Sequence, residues 1–450
     1  MRERSYHIIT FGCQMNVHDS RWLGSVLQRR GFAESPLEDA RVVVVNTCSV
    51  REKPEQKVMS ALGRIRQATG GNPDVLVAVT GCVAQQLGEE LFRQPQVRLV
   101  AGSDGMASAP QAIERLLEEP DLKLSLLDFT SRYEEREEGA RGPSGPVAYV
   151  NIMQGCDNFC AYCIVPYTRG RQKSRRTAAV LEDCRRALED GAREICLLGQ
   201  NVNAFGRDKY GDGVSFADLL RQAAALPGLL RLRYVTPHPK DMGPEDVALF
   251  GELPALCPRL HLPLQAGSDA VLARMGRKYD AARFVELTDA LRAARPDIAL
   301  STDLIVGFPG ETEEDFQQTL ALVRRCGFMS SFSFCYSDRP GTRASRFLDK
   351  IAPDVQQDRL LRLQALQEEL GQDWLDARVG GETDVLIEGE SRRDAGADGL
   401  KSWQGRDPYG ALVHVGLPHA AGDMTGRMVR TRLVEAKKHS LLGQQAGEPW

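Results

Sequence analysis

The chain has 450 residues, with 57 Lys and Arg against 61 Asp and Glu and a formal net charge of −4. That length supports two to four domains, each with its own core. The charge excludes a polycation that holds nucleic acid by bulk electrostatics, so any RNA contact has to come from local basic patches. No apolar run reaches the roughly 18 residues a membrane helix needs. The N-terminus leads straight into a strand, so no signal peptide is expected. Eleven cysteines in such a chain point to a reducing, cytoplasmic setting and to metal rather than disulfides.

Residues 1–130 alternate short, continuous apolar runs with helical patterns. The runs Tyr6–Thr10, Val42–Val45, Val75–Val79 and Val97–Val100 predict strands. Ser20–Arg30, Glu52–Thr69, Ala84–Arg93 and Ala107–Glu118 predict the helices between them. Such a series reads as βαβ units around a parallel sheet. Cys13, Cys48 and Cys82 each stand just past a predicted strand, 35 and 34 residues apart. Ligands in open parallel sheets bind beyond the carboxyl ends of strands. The three thiols are therefore expected to meet there, the alternative being three unrelated buried cysteines. Residues 131–146, rich in Glu, Arg, Gly and Pro, read as a solvated interdomain linker with no binding role.

A second alternating series starts at Val147. Predicted strands are Val147–Met153, Glu194–Leu198, Leu230–Val235, Leu260–Leu264, Ala299–Val306 and Ser331–Tyr336. Predicted helices are Thr177–Glu189, Phe216–Ala225, Pro244–Phe250, Ala281–Ala294 and Glu313–Arg325. Six βα repeats suit a partial (β/α)6 barrel whose working groups lie on the loops at the strand C-termini. After its first strand comes Gly155-Cys156-Asp157-Asn158-Phe159-Cys160-Ala161-Tyr162-Cys163. Thiolates select zinc, copper(I) or iron–sulfur clusters, and Fe–S clusters usually take four of them. Three thiolates on a cluster leave one iron open to a small chelating molecule. The alternatives are a three-cysteine zinc loop or three buried thiols. Gln200, Asn201 and Gln265 stand on other strand-end loops, and Asp303 interrupts an apolar run, which turns a carboxylate toward the barrel interior. A buried carboxylate satisfied by backbone donors is the plain alternative for Asp303.

Residues 352–378 predict one long amphipathic helix with Leu360, Leu361, Leu363, Leu366, Leu370 and Trp374 as its apolar stripe. Between residues 382 and 438, Asp384–Glu388, Leu412–Gly416 and Met428–Glu435 read as short strands of a five-stranded OB-like barrel. Arg392, Arg393, Lys401, Trp403, Arg406, Lys437 and Lys438 suit phosphate contact and base stacking there, though a solvated surface explains them nearly as well. Residues 441–450 read as a mobile tail. Cys184, Cys196, Cys257, Cys326 and Cys335 read as core thiols.

Several stretches together resemble the methylthiotransferase family of radical S-adenosylmethionine (SAM) enzymes, on its tRNA-modifying side. They are Thr10-Phe-Gly-Cys-Gln-Met-Asn16, Val45-Asn-Thr-Cys-Ser-Val-Arg-Glu-Lys-Pro-Glu55, Gly81-Cys-Val-Ala-Gln85 and Gly155 through Arg171. Leu198-Gly-Gln-Asn-Val-Asn203, His261 through Asp269, Asp303 through Thr312 and Tyr336 through Thr342 continue the match over nearly the whole chain. The resemblance implies an α/β architecture: a methylthiotransferase N-terminal domain over 1–130, a radical-SAM core over 147–375 and an RNA-binding TRAM domain over 376–440. It implies two [4Fe–4S] clusters, with Cys156, Cys160 and Cys163 holding the one that binds SAM and Cys13, Cys48 and Cys82 holding an auxiliary one. It implies Tyr162 beside the SAM adenine, Gln200 and Asn201 at its amino-acid end, and Gln265 and Asp303 at ribose or substrate. The implied substrate is N6-isopentenyladenosine in the anticodon stem-loop of tRNA, methylthiolated at C2 with two SAM per turnover. A sulfur donor and an electron donor such as flavodoxin or ferredoxin are implied partners. The basic run Arg169–Arg176 serves tRNA phosphates, or the SAM carboxylate through Arg175 and Arg176, or is a solvated helix start. Two other readings stay open: action on threonylcarbamoyladenosine or a ribosomal-protein aspartate, and a non-catalytic Fe–S or RNA-binding protein.

Overall fold

The computed structural model describes residues 4–49, 54–137, 145–393 and 399–450. Its N-terminal sheet contains β1 (Ser5–Thr10), β2 (Ala33–Glu34), β3 (Val42–Thr47), β4 (Leu76–Gly81), β5 (Val97–Ala101) and β6 (Leu124–Leu126), in the order β2-β1-β3-β4-β5-β6. All pairings are parallel. Strands β3, β4 and β5 are buried along their whole length, as parallel strands covered on both faces must be. Helix α2 (Pro54–Ala68) covers Val43, Val45, Val77 and Val79. Helices α1 (Gln14–Arg29) and α4 (Ala109–Glu118) cover Val42, Val44, Leu76 and Ala78, and the short α3 (Cys82–Leu87) follows β4. Helix α1 starts six residues before its predicted Ser20. Cys13 is its N-cap, and its first turn turns Met15 toward Cys196 and Leu198 of the barrel rather than toward its own sheet. The local apolar period therefore shows only from the second turn onward.

The central domain opens with β7 (Val147–Asn151) and a small hairpin, β8 (Met153–Gln154) with β9 (Lys173–Ser174), which flanks α5 (Val165–Thr168). Strands β10 (Glu194–Leu198) and β11 (Arg231–Tyr234) complete one parallel sheet, β11-β10-β7. Strands β12 (Arg259–His261), β13 (Ala299–Val306) and β14 (Ser330–Cys335) form the other. A Leu232–Leu256 bridge joins the two. The result is a six-stranded partial barrel with β7 and β14 at its free edges. Helices α6 (Thr177–Glu189), α7 (Phe216–Ala224), α8 (Pro244–Glu252), α9 (Asp269–Met275), α10 (Ala281–Ala294) and α11 (Glu313–Cys326) wrap it. Val150, Ile195, Leu232, Leu260 and Leu304 face those helices. By strand alternation, Tyr149, Cys196, Arg233, His261, Asp303 and Phe332 face the lumen.

Helix α12 (Pro353–Asp376) packs on β14 and leads into a closed barrel of β15 (Glu382–Glu390), β16 (Leu400–Arg406), β17 (Leu412–Pro418), β18 (Met428–Lys437) and β19 (Ser440–Gln445). Three expectations fail here. The predicted tail supplies β19, which pairs with both β17 and β18, and Trp450 pairs with Met428 through the backbone. Gly443 and two glutamines blur that strand's alternation in the sequence. Trp403 is only 2 % exposed and belongs to the barrel core, so it offers no stacking face. Leu361 is exposed, off the stripe of α12. No described helix is long and apolar enough to cross a membrane.

The stretch expected to be a solvated linker is instead bonded to both domains up to Glu137. Arg136 pairs with Asp19 at 2.7 Å, with the two side chains 11 % and 7 % exposed, and lies over Trp22. Glu137 takes Arg30, and its carbonyl accepts from the Trp22 indole. Glu135 takes Arg175 of the barrel domain. Residues 131, 132, 134 and 135 stay exposed as expected, but Arg136 is taken up by an internal partner that composition alone does not reveal. The rest of the predicted linker, residues 138–144, lies outside the described residues.

Candidate active site at the domain junction

Cys13, Cys48 and Cys82 are free thiols and stand at the carboxyl ends of β1, β3 and β4. Close approach at this edge demands glycine. A Cβ on Gly12 would lie 2.3 Å from that of Cys48, and one on Gly81 would lie 2.3 Å from the Thr47 carbonyl. Both glycines have positive φ, where a side chain is strained. Asn16 of α1 donates to Asn46 and the Thr47 carbonyl, which ties the Cys13 turn to the Cys48 turn. The Cys13 thiol is pushed down to about 5, chiefly by its hydrogen bond with Cys48, and it sits at a helix N-terminus, where thiolate is favoured.

Cys156, Cys160 and Cys163 are likewise free, on the loop after β8. Gly155 (φ 78°) opens this loop, and a Cβ there would meet the Arg171 carbonyl at 2.1 Å. The Ala161 N–H donates to the Met275 carbonyl, and the Ala344 N–H donates to the Ala161 carbonyl, both at 2.8 Å. Arg277, 4 % exposed, reaches the Cys160 sulfur at 3.5 Å and the Tyr162 hydroxyl at 3.3 Å. Burial pushes the Cys163 thiol up to about 12 and raises Cys156. A bound metal ion would deprotonate such thiols outright.

One buried side chain from the segment after the second loop reaches the first cysteine set. Arg169, six residues past Cys163 and 5 % exposed, hydrogen-bonds Cys82 and lies near Cys13 and Asp19. Burial opposes its charge, and those neighbours more than offset the burial. The domain contact is made by α1, which packs on edge strand β7, and by His18, whose Nδ1 meets the Tyr149 carbonyl at 2.9 Å.

The other sequence candidates fall unevenly. Gln200 accepts the Gly155 N–H at 2.5 Å and turns its amide toward the Met15 sulfur, so it braces the cysteine loop against α1. Asn201 donates to Asp241 at 2.8 Å, and its buried Oδ1 has no partner. Gln265 is buried with left-handed backbone (φ 75°) on the segment after β12, bridged to Leu304 of β13, a strained state typical of functional positions. Asp303 faces the lumen and pairs with His261 at 3.2 Å, rather than with backbone donors alone. Arg175 and Lys173 are removed from any phosphate or SAM role. Arg175 is buried between Glu135 and Asp183, and Lys173 is buried on Asp104. Arg176 is exposed. Four of the remaining thiols are buried, and Cys335 is half-buried.

Residues 5–102 match the model of Uncharacterized protein family UPF0004, and residues 150–323 match the Radical SAM superfamily. A tRNA-2-methylthio-N(6)-dimethylallyladenosine synthase of Nitratidesulfovibrio vulgaris (strain DP4) is 62 % identical over the full length of both chains. Those of Lawsonia intracellularis and Geobacter sulfurreducens are 56 % and 42 % identical over 98–99 % or more of each chain. The chain belongs to the tRNA-2-methylthio-N(6)-dimethylallyladenosine synthase family. As a radical SAM enzyme it uses SAM with [4Fe–4S] chemistry. The solved radical SAM methyltransferase TsrM from Kitasatospora setae shares the fold, with a TM-score of 0.56 at 15 % identity, covering 89 % of this chain and 81 % of that one.

Sequence reasoning missed Arg169 as a link, Arg277, His261 and the lumen-facing Phe332. Each lies in or beside a quoted motif, but only the fold brings Arg169 to Cys82 or Arg277 to Cys160. His261 and Phe332 could have been found from alternation along their short strands.

Proposed function

We propose that the chain converts N6-isopentenyladenosine next to the anticodon of tRNA to its 2-methylthio derivative, with two SAM per turnover. In this reading Cys156, Cys160 and Cys163 hold the [4Fe–4S] cluster that takes SAM, and Cys13, Cys48 and Cys82 hold a second, auxiliary cluster. The observation that carries it is two cysteine triplets outside any disulfide, each just past a strand, with Arg169 from the segment after the second reaching Cys82 of the first. The residues fit such groups. Beside the auxiliary triplet, Ser49 Oγ and Thr80 Oγ1 are buried without partners, and beside the barrel loop so is Asn201 Oδ1. Each such orphan is costly unless a bound group satisfies it.

When bound, the cluster and SAM supply the one-electron chemistry needed at C2–H of the base, which has no acidity for a general base to exploit. The chain's own residues hold and orient. Arg277 fixes Tyr162 and donates toward Cys160, so the cluster loop has one geometry. Gln200 couples that loop to α1, whose N-cap is Cys13. Asp303 and His261 offer a polar pair inside the lumen, suited to ribose or base contact. The target base has to leave its stack to reach them, as base-modifying enzymes require. A sulfur donor and an electron donor of the flavodoxin or ferredoxin type complete the reaction.

Nucleoside mass spectrometry after anaerobic incubation with SAM, reductant and isopentenylated tRNA tests the proposal. The expected product is the 2-methylthio nucleoside. No methylthio product with iron fully loaded removes the reading, and product on threonylcarbamoyladenosine alone reassigns the substrate.

A further inference from the structure

The cysteine loop contains a feature that holding a cluster does not explain. Phe159, between Cys156 and Cys160, has a left-handed backbone (φ 49°), an outlier for a bulky residue. Its ring is not buried in return, being 39 % exposed. It meets Tyr167, 47 % exposed, edge to face at a centroid separation of 6.0 Å. The Arg171 guanidinium lies 5.2 Å from the Phe159 centroid, held by Asp157 at 2.7 Å, with the Arg171 side chain 72 % exposed. Phe129, also exposed, lies against Gly170, where a Cβ would come 3.0 Å from its ring. Three open rings and a stacked guanidinium therefore line the rim outside the loop.

We propose that Phe159, Tyr167 and Arg171 form a stacking platform for the unpaired RNA nucleotides that flank the target base. This rests on the proposed function and names the surface that function would use. Every large apolar side chain described as exposed between residues 129 and 171 is aromatic. A protein-docking face would mix in aliphatic anchors, whereas open rings beside an arginine suit bases, since every base has a π-face. The C-terminal barrel offers no such surface through Trp403, which is buried.

The test is binding of a fluorescent anticodon stem-loop RNA carrying isopentenyladenosine to the anaerobically reconstituted full-length enzyme. Iron content and the electron paramagnetic resonance of the reduced protein confirm loading. Tyr167→Ala and Phe159→Gly, the latter relieving the backbone strain, are each expected to weaken binding about tenfold, within the range of one lost base–aromatic stack. Tyr167→Phe is expected to bind like the parent, and affinity for a plain duplex is expected to stay unchanged. If Phe159→Gly loses its iron, Tyr167→Ala, outside the loop, carries the test. Parent-like RNA affinity in the loaded variants overturns the platform. So does parent-like affinity combined with slower reduction by a flavodoxin-type donor, which makes this a protein-docking face. Failure of the parent itself to bind the RNA removes the proposed function and the platform together.

Discussion

Removing Arg136 tests whether the segment after β6 is a strap or a spacer. Its guanidinium is buried against Asp19 at 2.7 Å and lies 4.9 Å from the Trp22 ring centroid. Burial alone would raise the Asp19 carboxyl, but Arg136, Arg169 and His18 together hold it below its usual 3.8. In Arg136→Met the stem still packs, and Asp19 is left charged and buried or has to take a proton. Protonating an ordinary aspartate at neutral pH costs about 4 kcal/mol, at about 1.4 kcal/mol per pH unit. That agrees with the roughly 3–5 kcal/mol for breaking one half of a buried pair. Arg169 stays near Asp19 and relieves part of this, so about 3 kcal/mol is the working figure. Calorimetry should show the first unfolding step drop by roughly 5–10 °C. Tyr133, packed under Arg175, should become open to chymotrypsin. Asp19→Asn combined with Arg136→Met should recover much of the loss, because no buried charge is then left alone. Unchanged melting and a protected Tyr133 in Arg136→Met would refute the strap.

Other expectations concern the two thiol sets and the junction. Replacing Cys13, Cys48 and Cys82 together by Ala should halve the iron content and abolish methylthio product while reductive SAM cleavage persists; loss of cleavage with the other cluster loaded would contradict the division of labour. Gly155→Ala should prevent loading of the Cys156–Cys163 loop, since the added Cβ meets the Arg171 carbonyl, and the visible absorbance of the reconstituted protein reads this directly. His18 is held down to about 4, chiefly by burial, so the native state resists taking its proton. Junction stability should therefore fall as pH drops from 6.5 toward 4, by up to roughly 3 kcal/mol, and His18→Gln should flatten that slope in a melting-temperature series. Asp303→Asn should keep both clusters and lower product formation by an order of magnitude or more, about the scale of a lost positioning contact, while melting stays near the parent value.

Strands whose burial is two-sided were legible because a run such as Val42–Val45 has no other stable use. The placement of Cys13, Cys48 and Cys82 at the carboxyl ends of β1, β3 and β4 was legible for a related reason, since a thiol repeated at successive strand ends is a positional signal. Charged residues misled. Lys173, Arg175 and Arg136 look like solvent-facing polarity, yet Asp104, Glu135, Asp183 and Asp19 pair with them at buried positions. Nothing in a single sequence pairs Arg136 with Asp19 at a separation of 117 residues. Strand β19 was missed because its pairing partners, not its own residues, make it a strand. Trp403 was misplaced because an aromatic among lysines and arginines reads the same on either face of a small barrel.

The junction explains why one helix carries so many duties. A partial barrel leaves strand β7 paired with β10 on one side and open on the other, and an open edge invites non-native pairing. Helix α1 covers it through Met15 and His18. The same helix is capped by Cys13, so docking and thiol placement are a single event. If the two triplets sat on domains joined by a loose tether, their spacing would vary with the tether, and a bound base would meet both only part of the time. Here the first turn of α1 packs on the barrel, Arg169 from the segment after the second cysteine loop reaches Cys82, and the Arg136–Asp19 pair ties the following segment to α1. In the proposed reading, a domain pair held at this many points leaves the adjustment to the RNA, whose target base would be drawn out of its stack.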